Sequence, residues 1–190
     1  MFTYASNANP DWNKKCEEVF FSTSKGNEHT RYGHAKEKVA KQIMEAEFGK
    51  VSMLTEIGFL ICTKYPWLGL SPDVIVLQNG DFVLFECKSL KIGKECTGLT
   101  FLRKVTYLKE GPVGHFQLKK RTSFYTQILL DLFVCNIKMG KLLLYNDVSK
   151  TNFYIDVPRD ADEIKELVHS LTRTYFKYCL QFLCDKLDSS

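Results

Sequence analysis

The sequence lacks the features of secreted, zinc-stabilised and membrane-inserted proteins. Its seven cysteines are an odd number, include no Cys-x-x-Cys pair and show no zinc-type spacing with the four histidines. We therefore expect reduced thiols that mostly fill the core. No apolar run approaches the length of a membrane span, and the first segment, MFTYASNANPDW, has no apolar stretch typical of a signal peptide. These absences predict an intracellular protein, in the cytoplasm or the nucleus.

A strong charge of either sign is also missing, because 26 basic and 22 acidic residues give a formal net charge of +4. That balance permits a polyanionic partner without requiring one. The sequence contains no internal repeat and no low-complexity segment, and 190 residues, 45% of them hydrophobic, suffice for one substantial core. We expect one domain over 1–190, with an irregular segment at 1–27, the functional core at 28–157 and a C-terminal packing helix at 158–190.

The most informative stretch is Ser71–Leu90, SPDVIVLQNGDFVLFECKSL. The Asn-Gly pair at positions 79 and 80 lies between two apolar runs and is typical of a two-residue hairpin turn, because both turn residues need a positive φ. Extending the ladder from this turn places Asp73 opposite Glu86. Lys88 follows two residues after Glu86 and points to the same face. The hairpin therefore predicts two carboxylates and one ammonium at its open end.

Two carboxylates at this separation can bind a hard divalent cation. Mg²⁺ is commonly held by one or two carboxylates, with water and substrate phosphate completing its coordination, and a neighbouring amine can hold an attacking water. The alternative is an exposed hairpin that carries ordinary surface charges. The strand DFVLFECK is apolar on both faces, which is typical of a central strand covered from both sides. This pattern favours the cation site.

The rest of the sequence predicts helices and strands around this hairpin. The predicted elements are a short helix at 11–21, a helix from Asn27 or Thr30 to Phe48, strands within 51–62, a long basic connection at 91–114, a helix at 115–137, strands at 141–145 and 152–157, and a helix from about 160 to 186.

One carboxylate of the first long helix is a further candidate ligand. Glu37 shares a helical face with Gly33, Ala40 and Met44, at the spacing of one stripe. It is either a border residue that reaches solvent or, beside a bound cation, a third carboxylate ligand.

Two polar regions have similarly open interpretations. The loop that contains Ser22 and Ser24 either holds a phosphate or is a simple loop, and the connection at 91–114 either contacts a phosphate backbone or is solvated. The basic residues considered for contact with a phosphate backbone are Arg103 and Lys104 in this connection, and Lys119 and Arg121 near the start of the predicted helix at 115–137.

The residues quoted so far resemble a known family. Ser71-Pro72-Asp73, followed by Glu86-Cys87-Lys88, resembles the PD-(D/E)xK nuclease signature. The order of parts is similar to that of the lambda-type exonuclease, or YqaJ-like viral recombinase, family over roughly residues 28–147. Gly33 and Glu37 match its Gly-x-x-x-Glu helix, residues 65–70 its aromatic loop, and Tyr125 and Gln127 its Tyr-x-Gln helix. The chain departs from the family with Val74 after Asp73, with Ser89-Leu90 after Lys88, and with no arginine before Arg31.

The resemblance implies a fold and a cofactor. The fold would be an α/β (α+β) restriction-endonuclease-like core with a central mixed sheet flanked by helices. The cofactor would be Mg²⁺, as one or two ions, with Mn²⁺ able to replace it. Asp73, Glu86 and the backbone carbonyl of Cys87 would bind the metal, and Glu37 would reach the same ion or a second one.

The resemblance also implies roles for residues that composition alone does not single out. Lys88 would orient the attacking water, and Gln127 would position that water or a phosphate oxygen. Tyr125 would support its helix or contact the DNA strand, and Ser22 and Ser24 would correspond to the family's 5′-phosphate-binding segment.

The implied activity is hydrolysis of DNA phosphodiester bonds by a 5′–3′ exonuclease acting on double-stranded ends. An endonuclease of the same superfold (a repair, resolving or restriction-type enzyme) and a non-catalytic DNA-binding domain remain alternatives. By analogy with the family, a ring-shaped homotrimer and a single-strand annealing partner are also expected.

Overall fold

The computed structural model describes residues 10–21, 28–49, 52–54, 57–93 and 96–188, without the side chains of 28–35, 37, 53 and 54. Its contacts define two compact units. One combines the first helix with the C-terminal helices, and the other runs from residue 27 to residue 160.

The elements of the described chain, in order, are α1 (Trp12–Phe20), α2 (Glu28–Phe48), β1 (Met53–Leu54), β2 (Leu60–Ile61), β3 (Gly69–Leu70), β4 (Val74–Gln78), β5 (Asp81–Leu90), α3 (Gly98–Lys104), β6 (Leu108–Glu110), a 3-10 turn (Pro112–Gly114), β7 (Phe116–Leu118), α4 (Ser123–Val134), β8 (Met139–Asn146), β9 (Thr151–Pro158), α5 (Ala161–Thr174), a π-helical turn (Tyr175–Cys179) and α6 (Leu180–Asp188).

The second unit is built on a five-stranded sheet with the strand order β1-β4-β5-β8-β9. The β5 and β8 strands are parallel, and the other neighbours are antiparallel. The sheet is therefore mixed, and helices lie against it, as the resemblance implied. The β5 strand is the central strand of the sheet. This confirms the prediction made from its apolar side chains on both faces.

The hairpin formed by β4 and β5 has the predicted turn and register. Asn79 and Gly80 have φ values of 53° and 85°, so both adopt the left-handed backbone conformation that this turn requires. The ladder pairs Ile75 with Leu84 and ends where Val74 pairs with Phe85. The next residue towards the N-terminus is Asp73, which lies just outside the strand.

The two faces of β5 contact different helices. Phe85 and Cys87 point towards α2, where the sulfur atoms of Cys87 and Met44 are 3.9 Å apart. Strand side chains alternate between faces, so Glu86 points to the other face, which α4 covers. There α4 packs so closely on β8 that a Cβ atom on Gly140 would lie 2.6 Å from Ile128 Cγ2.

The unit of α1 and the C-terminal helices has its own packing. The rings of Trp12 and Tyr178 stack with centroids 4.6 Å apart, and Cys16, Cys179 and Phe182 form a buried cluster. The predicted C-terminal helix is present and is interrupted by the π-helical turn. All seven cysteines are free thiols. None of the described helices combines the length and apolar character needed to cross a bilayer.

Two predictions about secondary structure were wrong. The connection at 91–114 contains α3 and β6, because residues 108–110 pair with 116–118 in a small hairpin. The predicted helix at 115–137 starts only at Ser123. Arg121 adopts a φ of 65°, which is incompatible with a continuous helix, and the Thr122 hydroxyl caps α4 by accepting from the backbone N–H of Tyr125.

Candidate active site

The open end of the β4–β5 hairpin brings the two predicted carboxylates together. Asp73 Oδ2 accepts a hydrogen bond of 2.8 Å from the backbone N–H of Cys87. This contact fixes Asp73 beside the strand that carries Glu86. In a strand the N–H and C=O of one residue point to the same side, so the Cys87 carbonyl also faces the Asp73 edge of β5.

Glu86 is almost completely buried, with 1% of its surface exposed. Its Oε1 atom forms an ion pair with the ammonium of Lys88, while Oε2 has no hydrogen-bond partner among the described residues. Burial and the charge of Asp73 raise the pKa of Glu86 to about 7, against the opposing effect of Lys88. The site therefore holds more negative charge than its one lysine offsets.

Lys88 is held in place by the carboxylates and by an aromatic ring. Burial lowers its pKa, but the charge and hydrogen bond of Glu86, together with the charge of Asp73, more than offset this, so the pKa lies above its ordinary value. The Lys88 ammonium lies 5.4 Å from the ring centroid of Phe124 in α4. The lysine is thus a cation at neutral pH and is kept at the mouth of the site.

Helix α4 supplies two polar side chains to the same region. The side chain of Gln127 lies close enough to the Glu86 carboxyl to lower the pKa of that group. Asp131, one helical turn later, is 1% exposed, and its Oδ2 has no hydrogen-bond partner among the described residues. Burial, followed by the charges of Glu86 and Asp73, raises the pKa of Asp131 to about 8.

Asp131 is the residue of this region that the sequence analysis missed. The available signal was an aspartate inside the apolar run ILLDLFV, four residues after Gln127 and hence on the same helical face.

The placement of α2 bears on Glu37, whose side chain lies outside the described residues. Lys36 forms an ion pair of 3.0 Å with Asp147, which follows directly after the end of β8. Met44 lies against Cys87, so α2 runs with its first half towards the strand ends where Lys88 lies. Contact between Glu37 and the cation site stays a prediction.

The predicted DNA-contacting residues have mixed surroundings. Arg103 forms a two-pronged ion pair with Glu110, at 2.8 and 2.7 Å. The Lys104 ammonium donates to Cys96 Sγ at 2.8 Å, and Lys119 donates to a backbone carbonyl at 2.7 Å.

The remaining candidates differ in their exposure. Arg121 is exposed, whereas Tyr125 is buried in α4. Ser22 and Ser24 lie outside the described residues.

The donor set fits a hard divalent cation. Glu86 Oε2 is a buried carboxylate oxygen in need of a positive partner, and Asp73 lies next to it. In the described part of the chain, no three His, Cys, Asp or Glu side chains converge closely enough to enclose a metal. Two carboxylates, a carbonyl and water match the way in which Mg²⁺ is commonly bound.

Comparisons with known structures support the fold. The alkaline exonuclease LHK-Exo from Laribacter hongkongensis matches with a TM-score of 0.69 and 17% identity, covering 99% of this chain and 89% of that chain. A phage-related exonuclease from Haemophilus somnus 129PT matches with a TM-score of 0.54 and 13% identity, covering 92% and 82%. A second LHK-Exo structure, in complex with dAMP, matches with a TM-score of 0.67 and 18% identity, covering 98% and 89%.

None of the curated proteins is similar enough in sequence to match. The model of the YqaJ-like viral recombinase domain, in contrast, matches residues 4–103, more than half of the chain, and these include Glu37, Asp73, Glu86 and Lys88. The chain therefore belongs to the YqaJ-like viral recombinase domain family, a family of DNA nucleases.

Proposed function

We propose that this chain is a Mg²⁺-dependent 5′–3′ exonuclease that degrades double-stranded DNA from its ends. The observation that carries the proposal is the buried Glu86 carboxylate, which has an unpartnered oxygen next to Asp73. A buried carboxylate oxygen without a partner is costly even when the other oxygen is paired, and a divalent cation bound between the two acids would reduce that cost.

The residues have separate roles in this proposal. Asp73, Glu86, the Cys87 carbonyl and Glu37 hold the cation. When bound, Mg²⁺ polarises the scissile phosphate and lowers the pKa of water. Lys88, already a cation, orients the attacking water and offsets the charge that develops on the phosphate.

Helix α4 and the basic residues near it in the sequence would position the DNA. Gln127, held against Glu86, orients the water or a phosphate oxygen. The four basic candidates are all exposed and would contact a phosphate backbone: Arg103, Lys104, Lys119 and Arg121. Tyr125 would support α4 or contact the DNA strand, and Ser22 and Ser24 would bind a 5′-phosphate.

Exonuclease action is favoured by the names of similar structures. Two of them are called exonucleases, and one LHK-Exo structure holds dAMP, a mononucleotide of the size that an exonuclease releases. The 5′–3′ polarity and the double-stranded substrate rest on the resemblance to the lambda-type family.

The test is digestion of end-labelled linear duplex DNA, with and without a 5′-phosphate, beside covalently closed circular DNA, in Mg²⁺ and in chelator. We expect mononucleotides from linear DNA only, in Mg²⁺ only, and loss of cleavage in Asp73→Asn. Asp81→Asn, at the exposed hairpin turn, is the matched control and should retain activity. Cleavage of the circle would instead identify an endonuclease, and cleavage in chelator would refute the metal dependence.

A further inference from the structure

A second buried carboxylate lies behind Glu86 and has no assigned role. Asp131 is 1% exposed, and its Oδ2 atom has no hydrogen-bond partner among the described residues. A buried carboxylate oxygen is rarely left unpartnered, because the group loses its hydration without gaining a replacement. It lies in the last turn of α4, where the free backbone groups are carbonyls and offer a carboxylate no hydrogen bond, so a capping role is excluded.

The position of Asp131 on α4 directs it towards the candidate active site. Gln127 lies four residues earlier and contacts Glu86, and side chains four residues apart occupy the same face of a helix. The charges of Glu86 and Asp73 both raise the pKa of Asp131. Three carboxyl groups therefore share one partly buried region.

The charges in this region do not balance. Among the described residues, Lys88 is the only cation with an electrostatic interaction with all three carboxyl groups. Its ammonium is already paired with Glu86 Oε1. Two oxygens remain without partners, Glu86 Oε2 and Asp131 Oδ2. A divalent cation would supply the missing positive charge. Since no three described acidic side chains converge to enclose an ion, Asp131 would act on that cation from beyond its direct ligands.

We propose that Asp131 is a further acidic residue of the cation site and that its charge raises the affinity of the Asp73–Glu86 pair for a divalent metal ion. The inference rests on the proposed function, because it requires that this pair binds a cation. It differs from a packing role for Asp131, in which the carboxyl would fill space and leave metal affinity unchanged.

The experiment is calorimetric titration of the metal-free protein with Mn²⁺, without DNA, at pH 8.5, where Asp131 is mostly ionised, for wild type and Asp131→Asn. The amide has nearly the same shape as the carboxyl and removes only the charge. We expect binding about tenfold weaker in the variant, as one charge acting through a partly buried medium would produce.

The matched control is Asp156→Asn, which makes the same change in net charge. Asp156 is exposed, pairs with Lys141 at 2.8 Å and lies on the sheet face opposite Glu86. It should bind Mn²⁺ like the wild type. Wild-type affinity in Asp131→Asn, or an equal loss in Asp156→Asn, would overturn the inference and leave the proposed function standing.

A second measurement protects the test against poor folding of one variant. The rise in unfolding temperature that Mn²⁺ causes reports binding to the folded molecules of each variant. It should be smaller in Asp131→Asn and in a second neutral variant, Asp131→Ser, than in wild type. A wild-type protein that binds no Mn²⁺ would refute the proposed function itself, which distinguishes that failure from failure of the role of Asp131.

Discussion

The carboxylate of Asp73 accepts a hydrogen bond from the backbone N–H of Cys87 at 2.8 Å, although the two residues are fourteen positions apart. The backbone pairing of β4 with β5 ends at Val74 and Phe85. Beyond that pair, the side chain of Asp73 accepts the hydrogen bond that a backbone carbonyl of β4 would otherwise accept. It fixes one acid of the site to the strand that carries the other. The separation of Asp73 and Glu86 is therefore set by sheet geometry and is insensitive to loop motion.

Replacement of Lys88 by methionine should reduce cleavage about 10²–10³-fold, as expected when a group that stabilises transition-state charge is lost. The apolar stem remains, whereas the ammonium that lies over the Phe124 ring is lost. Steady-state digestion of linear duplex DNA in Mg²⁺ measures the effect. Lys141→Met, which breaks the ion pair with Asp156 on the opposite sheet face, should retain wild-type activity. Equal activity in both variants would contradict the role of Lys88.

Asp131 should make the protein less stable as the pH rises. Its pKa is about 8 in the folded protein and 3.8 ordinarily, so between these values the unfolded chain releases a proton that the folded chain retains. The stability contribution is present below pH 4 and is lost as the pH approaches 8. The loss should be on the order of a few kcal/mol.

Urea unfolding of wild type and Asp131→Asn in chelator, at pH 4.5 and pH 8, measures this contribution. Asp131→Asn should gain stability relative to wild type at the higher pH, because the amide does not titrate. Glu86, whose pKa is also raised, titrates in both proteins, so the part of its contribution that does not depend on Asp131 cancels in the comparison. A difference that is the same at both pH values would contradict the prediction.

Gly140 allows α4 to lie directly on the sheet. A Cβ atom there would lie 2.6 Å from Ile128 Cγ2 and 3.3 Å from the Val157 carbonyl oxygen. Gly140→Ala should therefore destabilise the protein by about 1–3 kcal/mol and, by displacing the helix that carries Gln127, lower nuclease activity as well. Thermal unfolding and DNA digestion measure the two effects.

Gly93→Ala is the matched control for this substitution. No atom of the described residues lies within 4 Å of a Cβ built on Gly93, and its φ is not in the left-handed range that strains alanine. Its stability and activity should equal those of wild type. A Gly140→Ala protein as stable as Gly93→Ala would show that α4 can move away from β8 without cost.

Arg103 is exposed and is held by Glu110. If it contacts a DNA phosphate, Arg103→Gln should weaken binding of any duplex sequence and reduce the slope of log affinity against log salt by about one. Glu110→Gln should do the reverse, because it releases the guanidinium for the phosphate. Fluorescence anisotropy in chelator, over a range of salt concentrations, measures both. Unchanged affinity in both variants would exclude Arg103 from the DNA interface.

The local parts of the fold could be predicted from the sequence. The Asn-Gly turn determines which residues of β4 and β5 face each other, such as Ile75 and Leu84. The apolar side chains on both faces of β5 indicate its position at the centre of the sheet. Asp73, Glu86 and Lys88 follow from that register alone. The family likeness then supplied Gln127, which the structure places against Glu86.

The parts that could not be predicted depend on contacts between distant segments. The three-residue strands at 108–110 and 116–118 are too short for a periodic pattern and exist because they pair with each other. The start of α4 depends on a positive φ at Arg121, which the identity of an arginine does not indicate. Asp131 was missed because its neighbours are apolar, and only the packing of α4 over Glu86 gives it a role.

The parallel pairing of β5 with β8 has a consequence for the order in which the molecule assembles. The hairpin that holds Asp73 and Glu86 is joined by a turn of two residues. The parallel pair β5 and β8 is joined by residues 91–138, and bringing the ends of this longer segment together costs more conformational entropy. Helix α4 lies inside that crossover. During synthesis the two acids should meet long before Gln127 arrives, so a chain still emerging from the ribosome would hold no competent nuclease until β8 has been made.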